Sequence, residues 1–381
     1  MSKHATMNFS GSEWLRYTRH LQLPQLGVAG QKRLKDSHVL IIGAGGLGSP
    51  VSLYLAAAGV GQITIVDGDQ VDLTNLQRQI IFSTADLGQS KAACAKERLL
   101  ALNPEINVEA VDVNLTRVNA TQLIAAADVV LDCTDNFSTR YLINDTCVQL
   151  KTSWIFASIY QFSGQCALFT PASACFRCLF PDPPENIDDC NTAGVLGVLP
   201  GLLGTLQASE AIKYLAGLPT PLENTLCLFE AMDLSINKIQ LTKNTDCSVC
   251  SAPTNPILTT DDYTTACEFL ADTCDTACNT RSNTISAADF AQYLASTEIN
   301  TNPIIVDVRS EEERINFHLG GLHIPIDEIA NNTNKLAKEK PVVCYCQTGV
   351  RSQKAVAILN DLGFQAKSLR GGIVEFLRSE L

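Results

Sequence analysis

The stretch Val39–Ser49, VLIIGAGGLGS, restricts the possible folds of this chain more than any other. An apolar run ends in Gly43, Gly45 and Gly48 at G-x-G-x-x-G spacing and continues as GSPVSLYLAAAG, which reads as a buried strand, a tight turn and a helix. The glycines allow the turn and let a phosphate approach backbone N–H groups at a helix N-terminus, where the helix dipole favours an anion. Asp67 closes the next apolar run, GQITIVDGD, at the distance expected of a ribose-hydroxyl acceptor. By themselves these features suit NAD, FAD and ATP alike.

The same alternation continues. SKAACAKERLLALNP and VNATQLIAAA read as helices, and INVEAVDVN and DVVLDCTD as strands, so βαβ units and a parallel sheet are expected. The fold class is α/β, with a doubly wound, Rossmann-like first domain. With 381 residues, 46% of them hydrophobic, the chain is long enough for two or three domains. AGVLGVLPGLLGTL, from Ala193 to Leu206, falls short of the roughly 20 residues that span a bilayer and is broken by Pro200 and four glycines. It reads as a buried loop leading into a helix, QASEAIKYLAG, and no membrane partner is expected. A net charge of −12 excludes broad nucleic-acid binding, which needs a basic excess. No apolar segment marks an N-terminal export signal, so a cytoplasmic location is expected. Fifteen cysteines in such a setting point to metal ligation or thiol chemistry.

After Cys250 the composition turns to Thr, Asp, Asn and Pro, with Arg281 as the sole basic residue up to Thr284. That boundary divides the chain into a first domain at 1–250, a linker at 251–283 and a second, smaller α/β domain at 284–381. In the linker, Cys267, Cys274 and Cys278 would share one face of a helix, where chance packing accounts for them better than a metal or redox cluster.

Residues beyond Asp67 narrow the nucleotide. TNLQRQI groups Asn75, Arg78 and Gln79, and GQSKAACAKERL places Lys91 at a helix start. Two fixed cations near such a turn serve a triphosphate that loses pyrophosphate better than they serve hydride transfer, so ATP is the expected nucleotide. Asp135, just past the strand in LDCTDN, is positioned to hold Mg2+ beside the phosphates. CFRC (Cys175, Cys178) and CSVC (Cys247, Cys250), separated by 68 residues, are two knuckles that together supply four thiolates. Four thiolates complete a closed, structural Zn2+ site.

RYTRHL, GAGGLGS, NLQRQI, GQSK, LDCTDN, CFRC, TLQASEAIK and CSVC, in that order from about Leu15 to Cys250, resemble the MoeB/ThiF/HesA family, bacterial relatives of ubiquitin-activating enzymes. The resemblance implies ATP-dependent adenylation of the C-terminal Gly-Gly carboxylate of a small ubiquitin-fold sulfur carrier. It assigns ribose to Asp67, phosphates to Asn75, Arg78 and Lys91, and Mg2+ to Asp135. Arg19 matches an arginine inserted into a neighbouring protomer's site, which makes a homodimer the expected unit. Cys190, in DDCNTAGVLG, matches a cysteine that some members use covalently.

From about Thr284 onward the chain resembles a rhodanese. DVRS, HLGGLHIP and CQTGVRS carry the likeness, with Gly321 where alanine is more usual. A thiol at Cys346, between a strand end and a helix start, is surrounded by backbone N–H groups that favour an anionic sulfur, and Arg351 adds positive charge. Only four residues separate Cys346 from Arg351, against five in the phosphatase loop, so sulfur is favoured over phosphate. Cys344 shares the Cys346 face of the strand and reads as core. The two resemblances together imply that a carrier adenylate is attacked by a Cys346 persulfide charged by a cysteine desulfurase or similar donor, giving a carrier thiocarboxylate. Molybdopterin biosynthesis is the leading pathway, with a thiamine-thiazole or tRNA-thiolation carrier as the alternative.

Overall fold

The computed structural model describes residues 9–181, 194–251, 283–295 and 303–379. The chain divides into two compact units, Met1–Cys267 and Glu268–Leu381.

Among the described residues the first unit has eight strands: β1 (His38–Ile42), β2 (Gln62–Val66), β3 (Asn107–Val111), β4 (Val129–Asp132), β5 (Ser153–Tyr160), β6 (Ser163–Phe169), β7 (Thr225–Glu230) and β8 (Ser235–Gln240). They lie in the order β3-β2-β1-β4-β5-β6-β7-β8. The β3-to-β5 part is parallel, and Val39–Ile42 of β1 are buried because helices cover both faces. The chain leaves β1 toward β2 on one side and returns to β4 on the other, so the switch point of the sheet lies between β1 and β4. Ile42 pairs with Val66 and with Asp132, so the turns beginning at Gly43, Asp67 and Cys133 emerge at one level.

β5 to β8 form an antiparallel extension. The expected buried loop before QASEAIKYLAG is replaced by helix: a single helix runs Leu199–Ala216. Pro200 lies in its first turn, where a missing N–H costs nothing. Gly204 lets this helix pack tightly on the Gly48–Ala58 helix, since a Cβ there would lie 2.6 Å from the Leu47 oxygen and from Pro50 Cγ.

Among the described residues the second unit has five parallel strands, β9 (Thr284–Ile285), β10 (Ile304–Asp307), β11 (Leu322–His323), β12 (Val342–Tyr345) and β13 (Ala366–Leu369), ordered β11-β10-β12-β13-β9. Alternate residues of β12 serve two cores. Val342 and Cys344 pack with Ala355 and Leu359, whereas Val343 and Tyr345 pack with Phe290 and Ile373. The apolar run PVVCYC is therefore a central strand buried on both faces, and Cys346 follows at its C-terminal end. Among the described residues no helix is long and apolar enough to cross a membrane.

Candidate functional site

Gly43 has φ +94°, and a Cβ on it would lie 2.6 Å from the Cys133 carbonyl oxygen. A Cβ on Gly48 would lie 2.0 Å from the Gly43 oxygen, so the turn cannot close without a glycine there. Gly45 differs: the nearest atom to its Cβ position is Gln79 Nε2 at 3.5 Å, which leaves its backbone approachable. Gln79 is 4% exposed and its Oε1 has no hydrogen-bond partner among the described residues. A buried, unpaired acceptor beside an open glycine turn fits a bound polar ligand, because leaving it unmet costs about 1–3 kcal/mol.

The Asp67 carboxylate accepts the Ala44 N–H at 2.7 Å and the Asp69 N–H at 2.9 Å. Burial pushes its pKa up, partly opposed by those two N–H groups and by Lys91. Lys91 is buried at the N-terminal end of the Lys91–Leu102 helix, and its Nζ is 2.8 Å from Asp69 Oδ2. Asp69 therefore links the expected ribose acceptor to one expected phosphate cation. The Leu73–Asn75 turn, started by Asp72, sets the other two residues, with the N–H groups of Arg78 and Gln79 both donating to the Asn75 carbonyl. The Arg78 guanidinium bonds the Thr74 carbonyl, and its Cγ is 3.6 Å from the Cβ position of Gly46.

Across the switch point, Asp132 is fully buried and paired with Arg140 at 2.9 Å, and it also accepts the Thr134 N–H and hydroxyl. Arg140 lies over the Phe137 and Phe156 rings. Gln207, fully buried, donates to the Asp132 and Ile155 carbonyls at 2.8 and 3.1 Å. These contacts stiffen the loop that carries exposed Asp135, whose Cys133 and Thr134 backbone lies against Gly43. Arg19 is exposed, with its Nη1 3.5 Å from Gln22 Oε1, and is not brought to the turn by any described contact. Cys190, Cys267, Cys274, Cys278 and Arg281 lie outside the described residues.

The four knuckle thiols converge, with all Sγ atoms of Cys175, Cys178, Cys247 and Cys250 within 4.8 Å of one another. The pairs Cys175–Cys178, Cys175–Cys247 and Cys178–Cys250 are 3.9, 3.6 and 3.4 Å apart. A tetrahedron with Zn–S bonds of about 2.3 Å has edges of about 3.8 Å, so the donors fit a zinc ion. Burial, then the other three thiols, push the Cys175 pKa up. A cation at the centre removes that penalty by binding the thiolates.

In the second unit, Cys346 is 1% exposed, and its Sγ accepts the Gly349 and Ser352 N–H groups at 3.2 and 3.4 Å and lies 3.5 Å from the Ser352 hydroxyl. The loop wraps the sulfur because the Val350–Asp361 helix starts directly after Gly349, whose φ is +95°. Arg309, doubly bonded to Asp307, reaches Gln347 Oε1 at 3.3 Å and braces the loop from below. Cys344, by contrast, is a core thiol whose pKa burial and Cys346 push up to about 12. Gly321 has φ +82°, and a Cβ on it would lie 2.4 Å from the Ile305 oxygen, so the usual alanine does not fit this backbone.

Arg351 has a definite partner. Its Nη1 and Nη2 donate to Glu313 Oε2 and Oε1 at 2.7 and 2.6 Å. Sequence reasoning missed Glu313, although Ser310-x-x-Glu313 is a capping-box signature. It also missed Asp69, Asp132, Arg140 and Gln207. Of these, Gln207 lies inside the TLQASEAIK motif, and Asp69 is the second acid of DGD.

Both units resemble known proteins. The ThiF family description matches residues 17–249, and the rhodanese-like domain description matches residues 286–379. A Mycobacterium tuberculosis protein named "Probable adenylyltransferase/sulfurtransferase MoeZ" is 39% identical over 381 residues, covering 97% of this chain and 94% of that protein. The sulfur carrier protein adenylyltransferase of Thermus thermophilus is 46% identical over 252 residues, covering 64% of this chain and 93% of that protein. Among solved structures, Escherichia coli MccB superposes with a TM-score of 0.57 at 27% identity, covering 62% of this chain and 75% of that one.

Proposed function

This chain belongs to the ThiF family and carries a rhodanese-like domain, and from that premise we propose that it is an adenylyltransferase and sulfurtransferase that converts the C-terminal Gly-Gly carboxylate of a ubiquitin-fold sulfur carrier into a thiocarboxylate. The supporting observation is the sulfur cradle at Cys346, formed by two backbone N–H groups and a hydroxyl, in the same chain as an open Gly45 turn against the Gln79 side-chain amide, whose Oε1 has no hydrogen-bond partner among the described residues.

In the first step a carrier carboxylate oxygen attacks the α-phosphorus of ATP, the bond to the β-phosphate oxygen breaks, and pyrophosphate leaves. The Gly43–Gly48 turn offers N–H groups to the phosphates, Asp67 accepts from the ribose, and Asn75 and Gln79 line the site. Arg78 and Lys91 offset the charge that builds on the leaving pyrophosphate. Asp135 would hold Mg2+, which supplies further charge neutralisation. In the second step the terminal sulfur of a Cys346 persulfide attacks the acyl carbon, and AMP leaves as the C–O bond breaks. A dithiol reductant then cleaves the acyl-disulfide, leaving the carrier as thiocarboxylate, Cys346 as thiol and the dithiol oxidised. The four-cysteine zinc site is structural. Our reading includes a homodimer in which Arg19 serves the neighbouring protomer's site, a cysteine desulfurase or other persulfide donor, and a cytoplasmic setting.

Intact-mass spectrometry tests the reading. Molybdopterin-type and thiamine-type carriers are incubated separately with the protein, Mg-ATP, a persulfide source and reductant. One carrier is expected to gain the oxygen-to-sulfur mass difference with the native chain and not with Cys346→Ala. Adenylation of carriers without any gain of sulfur would overturn the coupled mechanism.

A further inference from the structure

We propose that Glu313 sets the donor specificity of the Cys346 site: by occupying Arg351 it excludes inorganic thiosulfate and leaves the site to thiol-bound persulfides. This rests on the reading that Cys346 carries the transferred sulfur. The argument starts in local sequence. Ser310 caps the Glu311–Asn316 helix, the Ser310 N–H donates to Glu313 Oε2 at 3.0 Å, and the Glu313 N–H donates to Ser310 Oγ at 3.3 Å. The capping box thereby orients the Glu313 carboxylate through contacts local in sequence. Arg351, in the first turn of the helix that follows the Cys346 loop, meets it with both terminal guanidinium nitrogens at 2.7 and 2.6 Å.

Planar guanidinium groups bind carboxylates and other oxyanions through the same fork. The sulfonate end of thiosulfate is matched by such a fork, and here the fork of Arg351 is filled by Glu313 and that of Arg309 by Asp307. Glu311 and Glu312, in the first turn of the same helix, add further negative charge against a dianion. A thiol-bound persulfide has no sulfonate to seat. Both donors load Cys346 by balanced exchange. With thiosulfate, the Cys346 thiolate attacks the outer sulfur, a new S–S bond forms, and sulfite leaves with the electron pair of the broken one. With a persulfide, the donor thiolate leaves instead.

The test uses the full chain, with thiosulfate or cysteine persulfide as donor, cyanide as acceptor and thiocyanate as the readout. In the native protein, kcat/KM for thiosulfate is expected to lie about tenfold or more below that for cysteine persulfide; the reverse order overturns the proposal without any variant. Glu313→Gln keeps a capping residue and removes the charge. It is expected to lower KM for thiosulfate about tenfold while moving its kcat, and KM for cysteine persulfide, less than about twofold. Adding Arg351→Gln is expected to abolish that gain. If Glu313→Gln shifts both donors equally, or leaves thiosulfate unchanged, Glu313 does not set donor choice. Cys346→Ala separates the two levels: thiocyanate formation that survives it removes the persulfide reading itself, whatever Glu313 does.

Discussion

Gly45 and Gly48 look equivalent in the motif, yet a methyl group at each position meets different surroundings. At Gly48 it strikes the Gly43 carbonyl at 2.0 Å, whereas at Gly45 it meets only Gln79 Nε2 at 3.5 Å. Gly48→Ala is therefore expected to destabilise the first unit by about 2 kcal/mol or more, visible as a lowered Tm. Gly45→Ala should melt close to the native protein and still lose about tenfold or more in ATP affinity, measured by calorimetry, because its methyl group occupies the phosphate approach. Equal melting losses for the two variants would contradict this division of labour. The charged residues Arg78, Lys91 and Asp135 were readable one by one from their motifs. The Asp69 clamp on Lys91 and the unpaired Gln79 oxygen were not, since each depends on how the loop after β2 folds back on the glycine turn and the Lys91 helix. Cys346 was legible for a simpler reason, because its N–H donors come from the next few residues of the same turn.

At the scale of elements, the Glu311–Asn316 helix and the end of β10 concentrate paired acids. Burial raises the Asp307 and Glu313 pKa values, but bonding to Arg309 and to Arg351 respectively outweighs it and holds both below their ordinary 3.8 and 4.5. Such groups stabilise the fold fully above their unfolded values and lose that contribution as pH falls through the lower folded values. The Tm of the second unit should thus fall as pH drops below about 4.5, and Glu313→Gln should flatten that acid limb in a thermal-melt series. An acid limb equally steep in the variant would show that the Arg351 pair contributes nothing. In the first unit, helix contact at Gly204 leaves no space for a side chain. Gly204→Val is expected to lower Tm by several degrees, on the order of 2–3 kcal/mol for overpacking, and circular dichroism melting measures it. This helix extends further toward its N-terminus than the composition of AGVLGVLPGLLGTL suggests. Glycine and proline argue for a loop locally, and packing against Leu47 and Pro50 reverses that preference.

Across the whole molecule, the first unit is closed by a contact far apart in sequence: Cys175 and Cys247, 72 positions apart, have sulfurs 3.6 Å from each other. One zinc per chain is expected by elemental mass spectrometry. Removing it with a chelator, or replacing Cys247 with Ser, should lower the melting transition of the first unit and leave that of the second in place. A metal-free native protein with unchanged melting would remove the structural role. Much of this architecture could be read from the linear order of residues. Alternating apolar runs and helices specify the parallel β3-to-β5 layer and the second α/β domain, and the glycine spacing, each Cys-x-x-Cys knuckle and CQTGVRS mark candidate sites, because each depends on neighbours within a few positions along the chain. The pairing of β6 with β7, the clamp made by Gln207 and the capture of Arg351 by Glu313 could not be read that way. They arise when segments remote in sequence are brought within hydrogen-bonding distance, and the partner of a charged or polar side chain is then chosen by three-dimensional proximity and desolvation, which residue order does not encode locally.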